Sequence, residues 1–170
     1  MKKLYVLLVV FLLVGCTSIK NEYENVEGKV NVKQIDEKEV IELLDSGNGV
    51  LLFSFPECEW CQELMPVLNE KALELDIEVN YFNVRDNRAS ETDIYEDIYS
   101  EITEYLVSIN YDLMVYDKLY VPTIIVVENG NIVDFHLGTT NDHLMKEDGL
   151  PELNLSQVKE LMEIFDRMIK

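Results

Sequence analysis

Lysine and arginine are scarce in this chain: 14 of them stand against 33 aspartates and glutamates over 170 residues, a formal net charge of −19. A surface of that sign repels phosphate backbones, which argues against nucleic acid as a partner. Cysteine is scarcer still. Three sulfurs are too few for a disulfide-built scaffold, so each needs an explanation from its own position. Proline, with 4 residues, and glycine, with 7, are also sparse. Together with an apolar share of 48% and a charged share of 28%, that composition excludes collagen-like, low-complexity and globally unfolded chains. A long hydrophobic run is missing too: the longest, from Leu4 to Val14, has eleven residues, whereas a bilayer-crossing helix needs about 20. What remains is a length that suits one packed domain.

The short run follows Lys2 and Lys3 and ends in Leu13-Val14-Gly15-Cys16, the layout of a signal peptide rather than of a core element. Those four residues resemble the bacterial lipobox, in which small residues precede a cysteine that is acylated and becomes the mature N-terminus. The resemblance implies that residues 1–15 are a lipoprotein signal peptide, that Cys16 is the lipidation site and that the bilayer is a partner. Two acyl chains anchor stably where one would exchange. An uncleaved signal anchor or a buried N-terminal hairpin is the alternative. Cleavage removes Lys2 and Lys3, leaving 12 basic and 33 acidic residues, −21 apart from the termini, so the lipid and not the charge must hold the domain to the membrane. Residues 16–33 read as a lipid-anchored polar tether reaching about 20–25 Å, and residues 34–170 as a domain on the extracytoplasmic face of the cell membrane.

Within that domain, Asp36 with Glu39 forms a capping box, Ile35 and Val40 a hydrophobic staple, and Gly47 a stop, which predicts a short helix. Residues 50–55, nearly all apolar and ended by Pro56, predict a central strand covered on both faces. Leu64, Met65, Val67, Leu68, Ala72 and Leu73 recur at helical spacing over residues 59–75, with Pro66 as a kink. A second strand follows over residues 77–84. Residues 90–109 predict a helix with an apolar stripe through Ile98, Ile102 and Leu106 and an acidic outer face. Two strands, 120–127 and 132–137, flank Asn129-Gly130 as a hairpin. Asn154 and Gln157 box the start of a last helix through Leu161 and Phe165. The order predicts an α/β fold, a mixed sheet with helices on both faces and an antiparallel edge.

The remaining two cysteines stand in Cys58-Glu59-Trp60-Cys61, at the junction of the central strand and the following helix. A spacing of three at a helix start sets both sulfurs on one side of a turn, near enough to bond. Cys58, by the unpaired N–H groups and positive end of the helix dipole, is the attacking thiolate; Cys61, one turn inside, resolves the mixed disulfide. A zinc half-site is one alternative, for which His136 and His143 would be the only further soft ligands, and an inert buried pair is another. The histidines read as surface or hairpin residues. Trp60 either packs or meets the substrate.

With Pro66 five residues past Cys61, Tyr120-Val121-Pro122-Thr123 opening a strand, Asn129-Gly130 closing it and Gly138 after the hairpin, the chain resembles the thioredoxin-like superfamily over residues 50–138. The resemblance implies a thioredoxin-like fold with an extra acidic helix inserted before the cis-proline strand. It also implies a cis bond at Pro122, Val121 as a contact that receives an extended substrate strand, and no cofactor beyond the Cys58–Cys61 pair. Three positions depart from the family pattern: Leu52 stands where a buried acid is usual, Glu59-Trp60 where Gly-Pro is usual, and Glu57 where tryptophan is frequent. The longer stretch before Pro122, together with the lipobox, is similar to the thioredoxin-like and bacteriocin-accessory lipoproteins of Gram-positive bacteria.

Glu57, Glu59 and Glu63 surround the motif with no cation between Phe55 and Glu70, so only Arg85 or Arg88 could reach it by folding. Like charges oppose the dipole, which predicts a weak oxidant or a reductant. Two functions follow. The first is a membrane-tethered thiol–disulfide oxidoreductase acting on extracytoplasmic protein or peptide thiols, supplied by an unidentified membrane electron donor or acceptor. The second is a non-catalytic accessory protein that docks cationic peptides such as bacteriocins.

Overall fold

The computed structural model describes residues 19–90, 92–109, 111 and 118–170. The signal peptide and Cys16 lie outside the described residues. Five strands form one mixed sheet in the order β1-β3-β2-β4-β5. They are β1 (Val32–Gln34), β2 (Gly49–Ser54), β3 (Val79–Asn83), β4 (Thr123–Glu128) and β5 (Asn131–Leu137). The first three run parallel, and β4 and β5 are antiparallel to their neighbours. This order, with the peptide bond before Pro122 in cis, is a thioredoxin-like fold.

Residue alternation along the strands divides the core in two. Val50, Leu52, Val79, Tyr81, Ile124 and Val126 point to one face, where they meet α1 (Ile19–Glu22), α3 (Glu59–Glu74) and α6 (Leu155–Met168). Leu51, Phe53, Phe82, Ile125 and Val127 point to the other, against α2 (Glu37–Ser46) and α5 (Asp93–Ser108). β2 therefore sits at the centre with both faces covered, which is why its sequence is an apolar run rather than an alternation.

The capping boxes at Asp36/Glu39 and Asn154/Gln157 are both formed, and Gly47 caps the end of α2. The long acidic helix is inserted before β4 as expected, but it starts at Asp93 rather than at residue 90. Thr92 caps α5, and a separate short helix, α4 (Arg85–Ser90), precedes it. Tyr95, absent from the expected stripe, is buried and its hydroxyl accepts from Leu119 N–H at 2.7 Å.

The larger correction concerns the tether. Residues 19–34 are not a free linker. Ile19, Tyr23 and Val26 are buried in the α3/α6 face, and Val32–Gln34 adds a strand to the sheet. Two side chains one heptad apart on α3 hold this segment by its backbone. Gln62 donates to Glu22 O and accepts from Glu24 N–H, at 2.8 and 3.1 Å. Asn69 accepts from Asn31 N–H and donates to Lys29 O, at 2.9 and 3.1 Å. Polar composition hid the docking because the anchors are few and the remaining side chains face water.

The β4–β5 turn is fastened to the α2–β2 loop, with Gly130 N–H donating to Gly47 O at 2.9 Å. Gly130 has φ +77, and a Cβ there would stand 2.5 Å from Asp45 O; Gly138, with φ +75, has open space around it. Gly138→Ala should then cost only the left-handed penalty of about 1–2 kcal/mol, whereas Gly130→Ala adds a collision with rigid backbone. Urea unfolding of the two variants should rank Gly130→Ala as clearly the less stable; equal midpoints would contradict the docked turn.

Candidate active site

Pro56 ends β2, and the chain bends into α3 with Cys58 as its N-cap. The Cys58 sulfur accepts from Cys61 N–H at 3.3 Å, so the first thiol occupies the place where a helix offers unsatisfied donors to an electron-rich atom. Cys58 is half-buried; Cys61, one turn on, is 1% exposed. Burial pushes the Cys61 thiol far above its ordinary range, the neighbouring Cys58 adds to the rise, and a hydrogen bond with Ser54 pulls it back.

The antiparallel pairing of β2 with β4, with Phe53 opposite Thr123, carries Val121 and Pro122 to the same end of the sheet as the dithiol. Cys58 S–H donates to Val121 O at 3.7 Å, and the Val121–Pro122 bond is cis. The structure thus brings together Cys58, Cys61, Val121 and Pro122.

Trp60 is half-buried, and its indole N–H donates to His143 O at 3.4 Å. Two glutamates of the same turn hold the segment after β5. Glu59 accepts from Leu150 N–H at 3.1 Å, and Glu63 from Leu153 N–H at 2.8 Å. Glu57 is ion-paired with Arg85, one of the two cations able to reach the motif by folding. The acidic side chains around the motif are therefore engaged rather than idle.

The histidines differ from expectation in part. His136 does lie in the hairpin, edge-on to Phe165, and burial holds its ring below the ordinary histidine range. His143 is not a surface residue. It is 2% exposed, with Nε2–H donating to Pro151 O at 2.7 Å and Nδ1 accepting from Thr139 at 2.8 Å. Among the described residues no group of three or more His, Cys, Asp or Glu is arranged to hold a metal ion.

Sequence reasoning missed the floor of the site. Ser54, Tyr23 and Tyr81 are all buried behind Cys61, with Tyr23 and Ser54 oxygens 2.8 Å apart and the two tyrosine rings edge-on at 5.8 Å. Leu52, at the strand position where the resemblance leads one to look for an acid, pairs in register with Tyr81. The only hint in the sequence was Ser54, a hydroxyl interrupting an otherwise apolar strand.

No family model matches the chain, and no curated protein matches it. Among solved structures, thioredoxin O2 of Arabidopsis thaliana is similar at 14% identity and a TM-score of 0.46, covering 85% of this chain and 99% of its own. Thioredoxin O1 of the same plant gives 14% and 0.47 over 82% and 98%. An uncharacterized thioredoxin-like protein from Clostridium perfringens gives 17% and 0.41 over 93% and 91%. At that level of similarity, what identifies the fold is the strand order of this chain itself. The molecule is a thioredoxin-like domain carrying a CxxC dithiol at the N-terminus of α3.

The raised Cys61 value has a consequence for stability. A thiol that holds its proton more tightly in the folded state stabilises the fold fully below its ordinary value of 9.0 and loses that contribution as pH rises beyond it. The melting temperature of the reduced protein should fall between about pH 8 and pH 10, and that of the disulfide form should fall less, since it lacks the titrating thiol. Parallel declines measured by calorimetry would contradict the buried-thiol assignment.

Proposed function

We propose that this protein is a thiol–disulfide oxidoreductase acting on extracytoplasmic protein or peptide substrates while anchored through an acylated Cys16. The observation that carries the reading is the asymmetry of the pair. Cys58 is accessible at a helix N-cap beside the Val121 carbonyl, and Cys61 is sealed one turn behind it. A dithiol built for structure alone gains nothing from exposing one sulfur and withholding the other.

In the reductive direction the Cys58 thiolate attacks a client disulfide, forms a mixed disulfide and expels the first client sulfur as thiolate. Cys61 then attacks the Cys58 sulfur. The Cys58–Cys61 bond forms, the bond to the client breaks, and the proton of Cys61 passes to the departing sulfur. Two electrons have moved from protein to client, and a membrane donor must restore the dithiol. Oxidation is the same sequence reversed. Val121 and Pro122 would align an extended client segment against the cysteines, with Trp60 at the rim.

Anchoring takes on a shorter geometry than the composition implied. Ile19 packs on the domain and Cys16 stands three positions earlier. At full extension such a link spans about 10 Å, so a lipidated Cys16 would hold the domain against the headgroups.

Replacing Cys61 by alanine in the full chain, in its own membrane, should accumulate mixed disulfides at Cys58 that a reductant releases, and Cys58→Ala should accumulate none. Unchanged peptide binding without any trapped species would favour the alternative, a docking platform for cationic peptides, for which the acidic surface speaks. Equilibration with glutathione should give a potential well below the roughly −120 mV of the strongest dithiol oxidants, since Glu59 and Glu63 disfavour the Cys58 thiolate while Arg85 is taken up by Glu57; a value near that limit would overturn the reductant reading.

A further inference from the structure

The second half of that reaction sets a problem this site must solve. Cys61 has to become a thiolate in a place where water does not reach it, and the burial that shields it also opposes the charge. β2 supplies no carboxylate to help, since Leu52 occupies the inward position two residues before Ser54. What faces the sulfur instead is a pair of hydroxyls. Ser54 is 1% exposed, follows Leu52 on the β2 face that α3 covers and draws the Cys61 thiol back down, and the Tyr23 oxygen, in the same core cluster as Cys61, lies 2.8 Å from Ser54 Oγ. Tyr23, wholly buried, comes from the N-terminal segment that α3 holds through Gln62.

We infer that Ser54, oriented by Tyr23, is a positioning residue that stabilises the developing charge on Cys61 during resolution of the mixed disulfide. The inference rests on the oxidoreductase reading. A serine hydroxyl carries a single proton. When Tyr23 O–H donates to Ser54 Oγ, the serine proton is free to point at the sulfur. Neither hydroxyl gives up its proton: the Cys61 proton leaves with the client sulfur, and Ser54 and Tyr23 finish as they began. Tyr23 cannot serve as a base, because burial raises its phenol well above the ordinary range.

The titratable groups that face Cys61 are Cys58 on its own helix, Tyr23 on the N-terminal segment and Tyr81 on β3, with Glu22 beyond Tyr81. Tyr81 presents a second buried phenol beside the same thiol and is coupled to Tyr23, yet the hydrogen bond to Ser54 belongs to Tyr23.

The test is a stopped-flow reaction of the reduced full-length chain with an aromatic disulfide that liberates thionitrobenzoate. One release follows attack by Cys58; the release that Cys61→Ala abolishes reports resolution. A hydrogen bond to a charged partner is worth enough that Ser54→Ala should slow this phase about tenfold or more near pH 7, and Tyr23→Phe about three- to tenfold. In both, the pH profile of the phase should move to higher pH. Tyr81→Phe, which leaves the Tyr23–Ser54 bond intact, should move the profile less than Tyr23→Phe does. Should Ser54→Ala not fold, Tyr23→Phe, which keeps its ring, carries the test. Profiles unmoved in Tyr23→Phe, with a normal resolving phase in the parent chain, would overturn the inference and leave the oxidoreductase standing. Absence of any Cys61-dependent phase in the parent chain would instead overturn the oxidoreductase reading itself.

Discussion

The antiparallel pairing of β2 with β4 is the constraint on which the site depends. Because Phe53 lies opposite Thr123, the carboxyl end of one strand and the amino end of the other open at the same edge of the sheet. The first strand leads to Cys58 and the second is entered from Val121 and Pro122. A parallel partner would have put that entrance at the far end of the sheet, some 15–20 Å away for strands of this length. Everything chemical in the molecule follows from joining these two entrances.

Given that placement, the two sulfurs differ because a helix start is a surface and the next turn is a core. Cys58 meets solvent, backbone donors and a carbonyl; Cys61 meets β2, β3 and a tyrosine from the N-terminal segment. Isolating a thiol from water makes its neutral form the comfortable one and leaves its anion in need of local donors. The acidic side chains on the rim have other occupations: Glu59 and Glu63 hold the segment after β5, and Glu57 is paired with Arg85. That segment in turn carries His143, whose carbonyl receives the indole of Trp60.

Local chemistry in the sequence made much of this legible. Capping boxes, the nearly unbroken apolar strand, the Asn-Gly turn and the CxxC spacing act within a few residues, and the structure carries each of them. What depends on distant partners was not legible. Tyr23 and Val26 look like minor apolar residues in a polar stretch until α3 is known to hold the backbone of Glu22, Glu24, Lys29 and Asn31 around them from 38 and 40 positions away. His143 looks exposed until Thr139 and the Pro151 carbonyl close around its ring. The start of α5 moved to Thr92 because a threonine hydroxyl there accepts from Tyr95 N–H, and propensity alone ranks Ser90 as an equal candidate.

The docked N-terminal segment joins two properties that are usually separate. After Val26 the chain passes through Glu27, Gly28 and Lys29, all exposed, before it enters β1. A protease that reaches this bend leaves all five strands whole but converts Tyr23 from part of the domain into part of a peptide that can dissociate. Loss of everything before the bend and exposure of the inner sulfur to water would then be one event, set off by a single nick.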